Sequence, residues 1–420
     1  MKVKNLVTAC MVGLSSLPLF GGEKVDNIGD FFSKGTYDVK MRLAYENSDV
    51  DNGVDEGEGL VLSSYVGYRT AEIGGVSLYA QYHNMLKISD DFRDSEGKHA
   101  GEHDFIADED GQRIQQLYLD LKVLPDTLIR IGRQEILLDD VRFIGNIGWR
   151  NTAQAFDAIT LKNTSIEDTT IFLGYSENVA SIWFDENEYD GIYLANVKYA
   201  GIKGHTQTAF AYLVDRDENE PNAGPSIKND RVTIGARLTG SFDALGYDVQ
   251  YANQTDWEDS DDIDLNFFQA GLSYKMGALT PAIGYAYHEG DGTTGFSNLF
   301  STAHKFNGWS DQFLGTNTGG LRNGLQDYNA SLTYKSADLG MTFKVVYHFF
   351  DTTNDGSYDD EYGEEFNFLA VKPINENLKL TAKFAIYEAE ENASNPIGND
   401  EQVFWLRLDY KIGGKVADLF

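Results

Sequence analysis

Hydrophobic and polar residues alternate with a period of two over most of this chain, from about Thr36 to Ile412. In one clear stretch, Leu378, Leu380, Ala382, Phe384 and Ile386 are interleaved with Lys379, Thr381, Lys383, Ala385 and Tyr387. One face is apolar and the other wet, the pattern of a β-strand. Past residue 22 no apolar stretch is long enough for a spanning helix, which needs about 18 residues. The alternating segments have the roughly 9–11 residues that a tilted membrane-spanning strand requires.

Eighteen such segments are predicted: 36–46, 60–70, 75–86, 112–123, 127–136, 154–163, 168–176, 189–200, 204–214, 228–240, 243–255, 263–276, 279–289, 325–336, 338–352, 362–373, 377–391 and 401–413. Their connections alternate in length. Ala71–Gly74, Pro125-Asp126, Gly201–Lys203, Ser241-Phe242, Gly277-Ala278 and Ile374–Glu376 are short, while 47–59, 87–111, 137–153, 215–227 and 290–324 are long. In lipid every backbone N–H and C=O must be paired within the protein, so only helices and closed barrels span. The pattern predicts an all-β fold, a transmembrane antiparallel up-and-down barrel of 18 strands with short periplasmic turns and long acidic outer loops. An even strand number puts both termini on the periplasmic side. A large soluble all-β protein would alternate similarly, but it has no reason to alternate long with short connections. Rings at segment ends, such as Tyr37 and Tyr45, Tyr65 and Tyr68, Tyr347 and Phe349, fit the aromatic girdles of a barrel.

Lys2, Lys4, the apolar run Leu6 to Phe20 and the small pair Gly21-Gly22 read as a signal peptide over residues 1–22. Residues 23–420 then form a single barrel domain, since no linker or compositional break divides them. The single cysteine, Cys10, lies in the leader, so disulfides, thiol chemistry and cysteine-bound metals are excluded from the mature chain. The net charge of −32, or −34 once Lys2 and Lys4 are removed, makes nucleic acid an implausible partner. The acid is concentrated in loops. Residues 87–111 carry Asp90, Asp91, Asp94, Glu96, Glu102, Asp104, Asp108, Glu109 and Asp110, with further clusters at 256–264 and 351–361. These read as a solvated exterior. Divalent cations bridging to lipopolysaccharide are the alternative, although no segment has calcium-loop spacing. No cofactor is expected.

Strand parity sorts the lumen from the lipid face. The predicted inward bases include Lys40, Arg42, Lys122, Arg130, Lys198, Arg231, Arg237, Lys275, Lys335, Lys344, Lys379, Lys383, Arg407 and Lys411. The inward acids are fewer: Asp38, Glu46, Asp120, Asp248, Asp327 and Asp409. An acidic protein is thus expected to have a basic inner wall, which would select ions of opposite sign.

Ile131-Gly132-Arg133-Gln134-Glu135, Leu138 to Asn146, Gly148-Trp149-Arg150-Asn151 and Phe156-Asp157-Ala158 form one block of motifs. Phe306 to Leu314, Gly320-Leu321 and Gln326-Asp327 form a second. The two blocks resemble the alginate export family of outer-membrane barrels of Gram-negative bacteria. The resemblance implies an 18-stranded channel with an arginine-rich constriction for anionic polysaccharide. It places Arg133, Arg142 and Arg150 beside one long loop, with Glu135, Asp139, Asp140 and Asp157 near them. Guanidinium suits bidentate contact with sugar carboxylates. The alternative is a loop whose arginines pair with those acids and hold it to the wall. Arg133 shares parity with Ile129 and Ile131, so an inward Arg133 requires a bulge or a position above the membrane. Phe420 is terminal, but Gly413-Gly414-Lys415 is expected to break the strand before it.

The histidines fall in no nucleophile or zinc-protease motif, so an enzyme is not expected. His99 and His103 read as surface residues. The pore set is Arg42, Arg130, Arg133, Arg142, Arg150, Arg231, Arg237, Arg407, Asp139, Asp140, Asp157 and Asp327. The function expected is a porin-like outer-membrane channel for passive passage of small hydrophilic solutes, anionic or sugar acids. A dedicated polysaccharide exporter and a structural or adhesive barrel are the alternatives. Its partners would be outer-membrane lipid and lipopolysaccharide, the solute or an anionic oligosaccharide, and the barrel-assembly machinery.

Overall fold

The computed structural model describes residues 23–419, apart from 217–229, 258–262, 302, 315–320, 354–357, 359 and 393. The leader, Gly320, Phe420 and much of the acid predicted at 256–264 and 351–361 lie outside the described residues.

Eighteen strands pair antiparallel with their sequence neighbours: β1 (Thr36–Val50), β2 (Gly57–Arg69), β3 (Val76–Asp91), β4 (Gly111–Leu124), β5 (Thr127–Gln134), β6 (Ala155–Asn163), β7 (Thr169–Ala180), β8 (Glu186–Tyr199), β9 (His205–Arg216), β10 (Arg231–Phe242), β11 (Leu245–Thr255), β12 (Asp264–Tyr274), β13 (Leu279–His288), β14 (Leu325–Ser336), β15 (Met341–Asp351), β16 (Glu361–Pro373), β17 (Leu378–Ala389) and β18 (Glu401–Lys415). β1 also pairs with β18, from Thr36 opposite Lys415 to Val50 opposite Glu401, which closes the barrel. Closure leaves no strand edge. Both ends of the barrel chain lie at the short-turn rim. The expected break at Gly413-Gly414-Lys415 does not occur: these residues pair with Asp38, Tyr37 and Thr36. Glycine weakens a strand through its backbone entropy, and here continuous pairing with β1 offsets that cost. The tenth turn also moves by two residues, from Ser241-Phe242 to Asp243-Ala244.

Parity sorts the two faces along each regular stretch and changes at bulges, as between Ile114 and Gln116 of β4 and between Tyr189 and Gly191 of β8. On β1, Arg42 and Glu46 are buried while Met41 and Leu43 are exposed. Ile159, Ile234, Ile283, Leu332 and Leu406 form part of an outward apolar band. Exposed Tyr193, Tyr251, Tyr328 and Tyr347 flank the band toward the long loops, and Tyr199, Tyr274, Tyr334 and Tyr410 flank it toward the turns. Hydroxyls at the loop rim donate to polar neighbours, Tyr45 to Glu58 at 2.8 Å and Tyr251 to Asn266 at 2.7 Å. Rings with one wet end suit a membrane interface.

A short helix, α1 (Ile28–Ser33), precedes β1 at the turn rim. Asn27 caps it by accepting from the Asp30 amide at 2.8 Å, and Phe31 packs with Val25 and Ala71.

Candidate functional site: a lumen narrowed by two loops

Two long connections fold inward, residues 135–154 between β5 and β6 and the described residues of 289–324 between β13 and β14. Their contacts show it. Phe143 touches Phe210 of β9, Phe267 of β12 and Phe296 of the second loop, with ring centroids 5.3–5.8 Å apart. Phe300 packs on Phe156 of β6 and Tyr189 of β8. A residue that touches several walls of a closed barrel lies in its lumen. The loops also join each other. The Gly145 amide donates to the Phe300 carbonyl, and the Phe300 amide to the Phe143 carbonyl, both at 2.9 Å. Apolar packing of this kind makes a firm obstruction inside an otherwise polar bore.

Ion pairs fasten the first loop to the wall. Asp140 meets Arg237 of β10 at 3.1 Å, and Asp139 meets Lys198 of β8 at 3.4 Å and accepts from Asn196 at 2.7 Å. Arg150 lies between Glu46 of β1 at 3.0 Å and Asp108 at 3.3 Å, the latter from the connection between β3 and β4. Burial opposes the Arg150 charge, but Glu46 and Asp108 outweigh it and hold its pKa above the ordinary value. Asp108 itself is pushed up to about 6 by burial, against the pull of Arg150. Such buried pairs are costly to break because a charge is left uncompensated.

Other predicted residues are similarly engaged. Arg42 binds Asp409 at 2.7 Å and donates to the carbonyls of Trp149 and Arg150. Arg130 binds Asp120 at 2.6 Å and lies over the Tyr118 ring. Arg231, 1 % exposed, donates to Thr294 of the second loop at 3.0 Å. Asp327 accepts from Asn307 at 3.0 Å and from His348 at 2.8 Å, and so ties the second loop to β14 and β15.

Arg142 and Arg407 meet no carboxylate in an ion pair among the described residues. Arg142 is 1 % exposed, between the Phe267 and Phe306 rings, with Nη2 2.7 Å from His288 Nε2. Its Nε and Nη1 have no hydrogen-bond partner among the described residues. Burial pulls its pKa down to about 10, with Asp140 and Asp327 opposing. Arg407 lies flat on Trp149, its guanidinium carbon 3.5 Å from the ring centroid, and donates to the Trp149 carbonyl at 2.6 Å. Its Nε and Nη2 likewise lack partners among the described residues.

Arg133 and Asp157 correct the expected pore set. Arg133 shares the outward parity of Ile129 and Ile131, and Asp157 that of Ile159. They pair at 2.7 Å outside the barrel at its loop rim, with Glu186 2.8 Å from Arg133. The required bulge is absent from β5, so the side chain stays on the outer face.

Trp149, Trp309 and His304 at the constriction escaped the parity argument because they lie on loops. Lys383 of β17, expected to face inward, places its Nζ 3.7 Å from the Trp149 centroid and 3.8 Å from that of Trp309, and it contacts His304. His304 stacks on Trp149 at 4.2 Å. Trp149 and Trp309 each follow a glycine in one of the two motif blocks, in Asn146-Ile147-Gly148-Trp149 and Phe306-Asn307-Gly308-Trp309. That repetition was the available signal.

Two cavities flank the obstruction, and they share no lining residue. The outer one, about 590 Å³, reaches Ser48, Trp149, Asp311 and Glu401 at the loop end. The inner one, about 810 Å³, reaches Gly204, Arg237, Asp248 and Lys305 toward the turns.

A profile of the alginate export family matches residues 56–366. Solved barrels are similar in fold. Pseudomonas aeruginosa OccK3 (OpdO) is 15% identical, with 92% of this chain and 97% of that chain covered and a TM-score of 0.67. Acinetobacter baumannii OccAB2 is 16% identical, covering 92% and 99%, at 0.70. Pseudomonas aeruginosa OccK11 (OpdR) is 15% identical, covering 94% and 99%, at 0.67. No curated protein is recognisably similar in sequence.

Proposed function

This chain belongs to the alginate export family, and from that premise we propose that it is a porin-like channel integral to the outer membrane, not an enzyme. After loss of residues 1–22, residues 23–420 form one domain with both termini in the periplasm. It conducts small hydrophilic solutes, anionic or sugar acids among them, past the two inward loops. The barrel-assembly machinery, surrounding lipid and lipopolysaccharide are its partners, and it uses no cofactor.

The observation that carries this reading is the placement of Arg142 and Arg407, each with two nitrogens lacking a hydrogen-bond partner and neither in an ion pair with a carboxylate among the described residues, in a lumen narrowed by both loops. Most other lumenal arginines are neutralised by Asp120, Asp140, Asp248, Asp409 or Glu46. They hold the architecture, and the selective charge falls to the few that are not. Guanidinium offers a planar fork to a carboxylate. The compact packing of Phe143, Phe296 and Phe300 favours small solutes over a polymer chain.

The test is the reversal potential of the purified, refolded protein in a planar bilayer under a KCl gradient. Chloride preference is expected. Potassium preference overturns the anion assignment, and absence of conductance overturns the channel.

A further inference from the structure

Four of the chain's five tryptophans, Trp149, Trp183, Trp309 and Trp405, line the outer cavity. Barrels ordinarily place this residue in the lipid-facing girdles. Here it is gathered inside, at the loop end of the bore. The same cavity is lined by Asp104, Asp311 and Glu401, whose partners are neutral. Asp104 accepts from the Val50 amide at 2.8 Å and from Asn52 at 2.7 Å. Glu401 accepts from Ser48 at 3.1 Å and from Gln312. Asp311 is 2.8 Å from His304 Nδ1. His304 is held neutral, its pKa far below the usual value through burial and the cations Lys383, Arg407 and Arg150.

The two arginines of this cavity have contacts of their own. Arg150 is clasped by Glu46 and Asp108, and Arg93 rests over the Phe105 ring at 4.9 Å. Buried polar groups in the lining nevertheless stay unsatisfied among the described residues. Glu46, 6 % exposed, has no hydrogen-bond partner there for Oε2, and the same holds for Asn298 Nδ2 and Trp405 Nε1. Carboxylates beside indole faces attract organic cations, which lose little hydration and gain the ring quadrupole. The protein itself shows this preference at the deep side of the cluster, where the Lys383 ammonium lies against Trp149 and Trp309.

We propose that this outer vestibule is a binding site for an organic ammonium group, alkylated ammonium above all, carried by a small hydrophilic solute. The inference rests on the channel reading only for the solute's onward passage. The vestibule is lined by carboxyl groups and indoles, whereas the groups beneath it, Lys383, Arg407 and Arg142, are basic side chains. A solute bearing both charges would therefore enter with its ammonium outermost.

The test compares choline with its uncharged isostere 3,3-dimethylbutan-1-ol on the full-length refolded protein. Both partial block of the KCl current and quenching of tryptophan emission in detergent are read. Choline is expected to act at a concentration about tenfold lower, the effect of roughly 1.4 kcal/mol. Asp311→Asn with Glu401→Gln should abolish that advantage, and Asp104→Asn should reduce it. Heat-modifiable migration on gels verifies that each variant is folded. Equal potency of the two probes, or a choline advantage that survives in the folded double variant, overturns the site. Choline-specific quenching in a protein without conductance supports the site and sinks the channel instead.

Discussion

Ile144 and Phe300 lie side by side as a parallel β-bridge, each contributed by a different inward loop. Neither loop therefore defines the constriction alone. The Gln154 side chain also donates to the Phe300 carbonyl, at 3.1 Å, so the second loop is gripped by the middle of the first and by its end.

Phe300→Ala should loosen both loops together. A buried Phe→Ala change costs about 3–5 kcal/mol where the site cannot collapse. Barrel melting should hardly change, because the strands do not depend on this contact, whereas single-channel conductance should rise and become noisier. Unchanged conductance with an intact barrel would remove the loops from the permeation path.

Arg142→Ala and Arg133→Ala form a paired test of which arginine faces the solute. Removing a lumenal unit charge weakens anion stabilisation by about 1 kcal/mol, or roughly fivefold in the permeability ratio. Arg142→Ala should shift the reversal potential toward potassium by that factor. Arg133→Ala, on the outer face with Asp157 and Glu186, should leave it in place.

Arg150→Ala leaves Glu46 and Asp108 buried without their cation, a loss of about 3–5 kcal/mol for such a site. Proteolytic cleavage within residues 135–154 should become faster while the barrel resists. Glu46→Gln combined with Arg150→Met should recover part of the loss, since both charges then leave together.

Asp311 supplies a pH dependence. Burial pushes its pKa up to about 7 from the usual carboxylate value. Arg150 and Lys383 oppose this, and Glu365 and Glu46 add to it. The pKa of His304, its hydrogen-bond partner, is held well below the usual imidazole value by burial and by Lys383, Arg407 and Arg150. A raised carboxylate pKa means that the folded loop binds the proton more tightly than the unfolded chain. Between about 4 and 7, stability from this group falls as pH rises, and the full penalty is present above 7. Choline binding needs the ionised form, so its potency should drop as pH is lowered through 7. Asp311→Asn should flatten the response. A pH-independent choline effect in the parent protein would remove Asp311 from the site.

The barrel was largely readable in the sequence because a strand with one lipid face has little freedom. A polar residue on the wrong parity is costly, so Ile234, Leu238, Arg231 and Arg237 announce their sides directly. The 325–336 segment was located to the residue for this reason. The same rule, followed strictly, places Arg133 outside with Ile129 and Ile131, and only the motif argued for the lumen. The constriction was much less readable. Nothing in local periodicity tells whether Phe300 or Trp309 lies in solvent or inside the bore, because inward folding is decided by distant partners such as Tyr189 and Lys383. Lys383 was assigned inward, but parity does not reveal that three indoles surround it.

The seam between β1 and β18 joins the first strand made to the last. Its fifteen paired positions, from Thr36 with Lys415 to Val50 with Glu401, form only once the last strand has been made and meets the first. Until then both strands carry open backbone edges, which are sticky toward other chains and exposed to proteases. Quality control is thus built into the topology: a prematurely terminated copy has no route to a sealed cylinder, however well its first strands have folded.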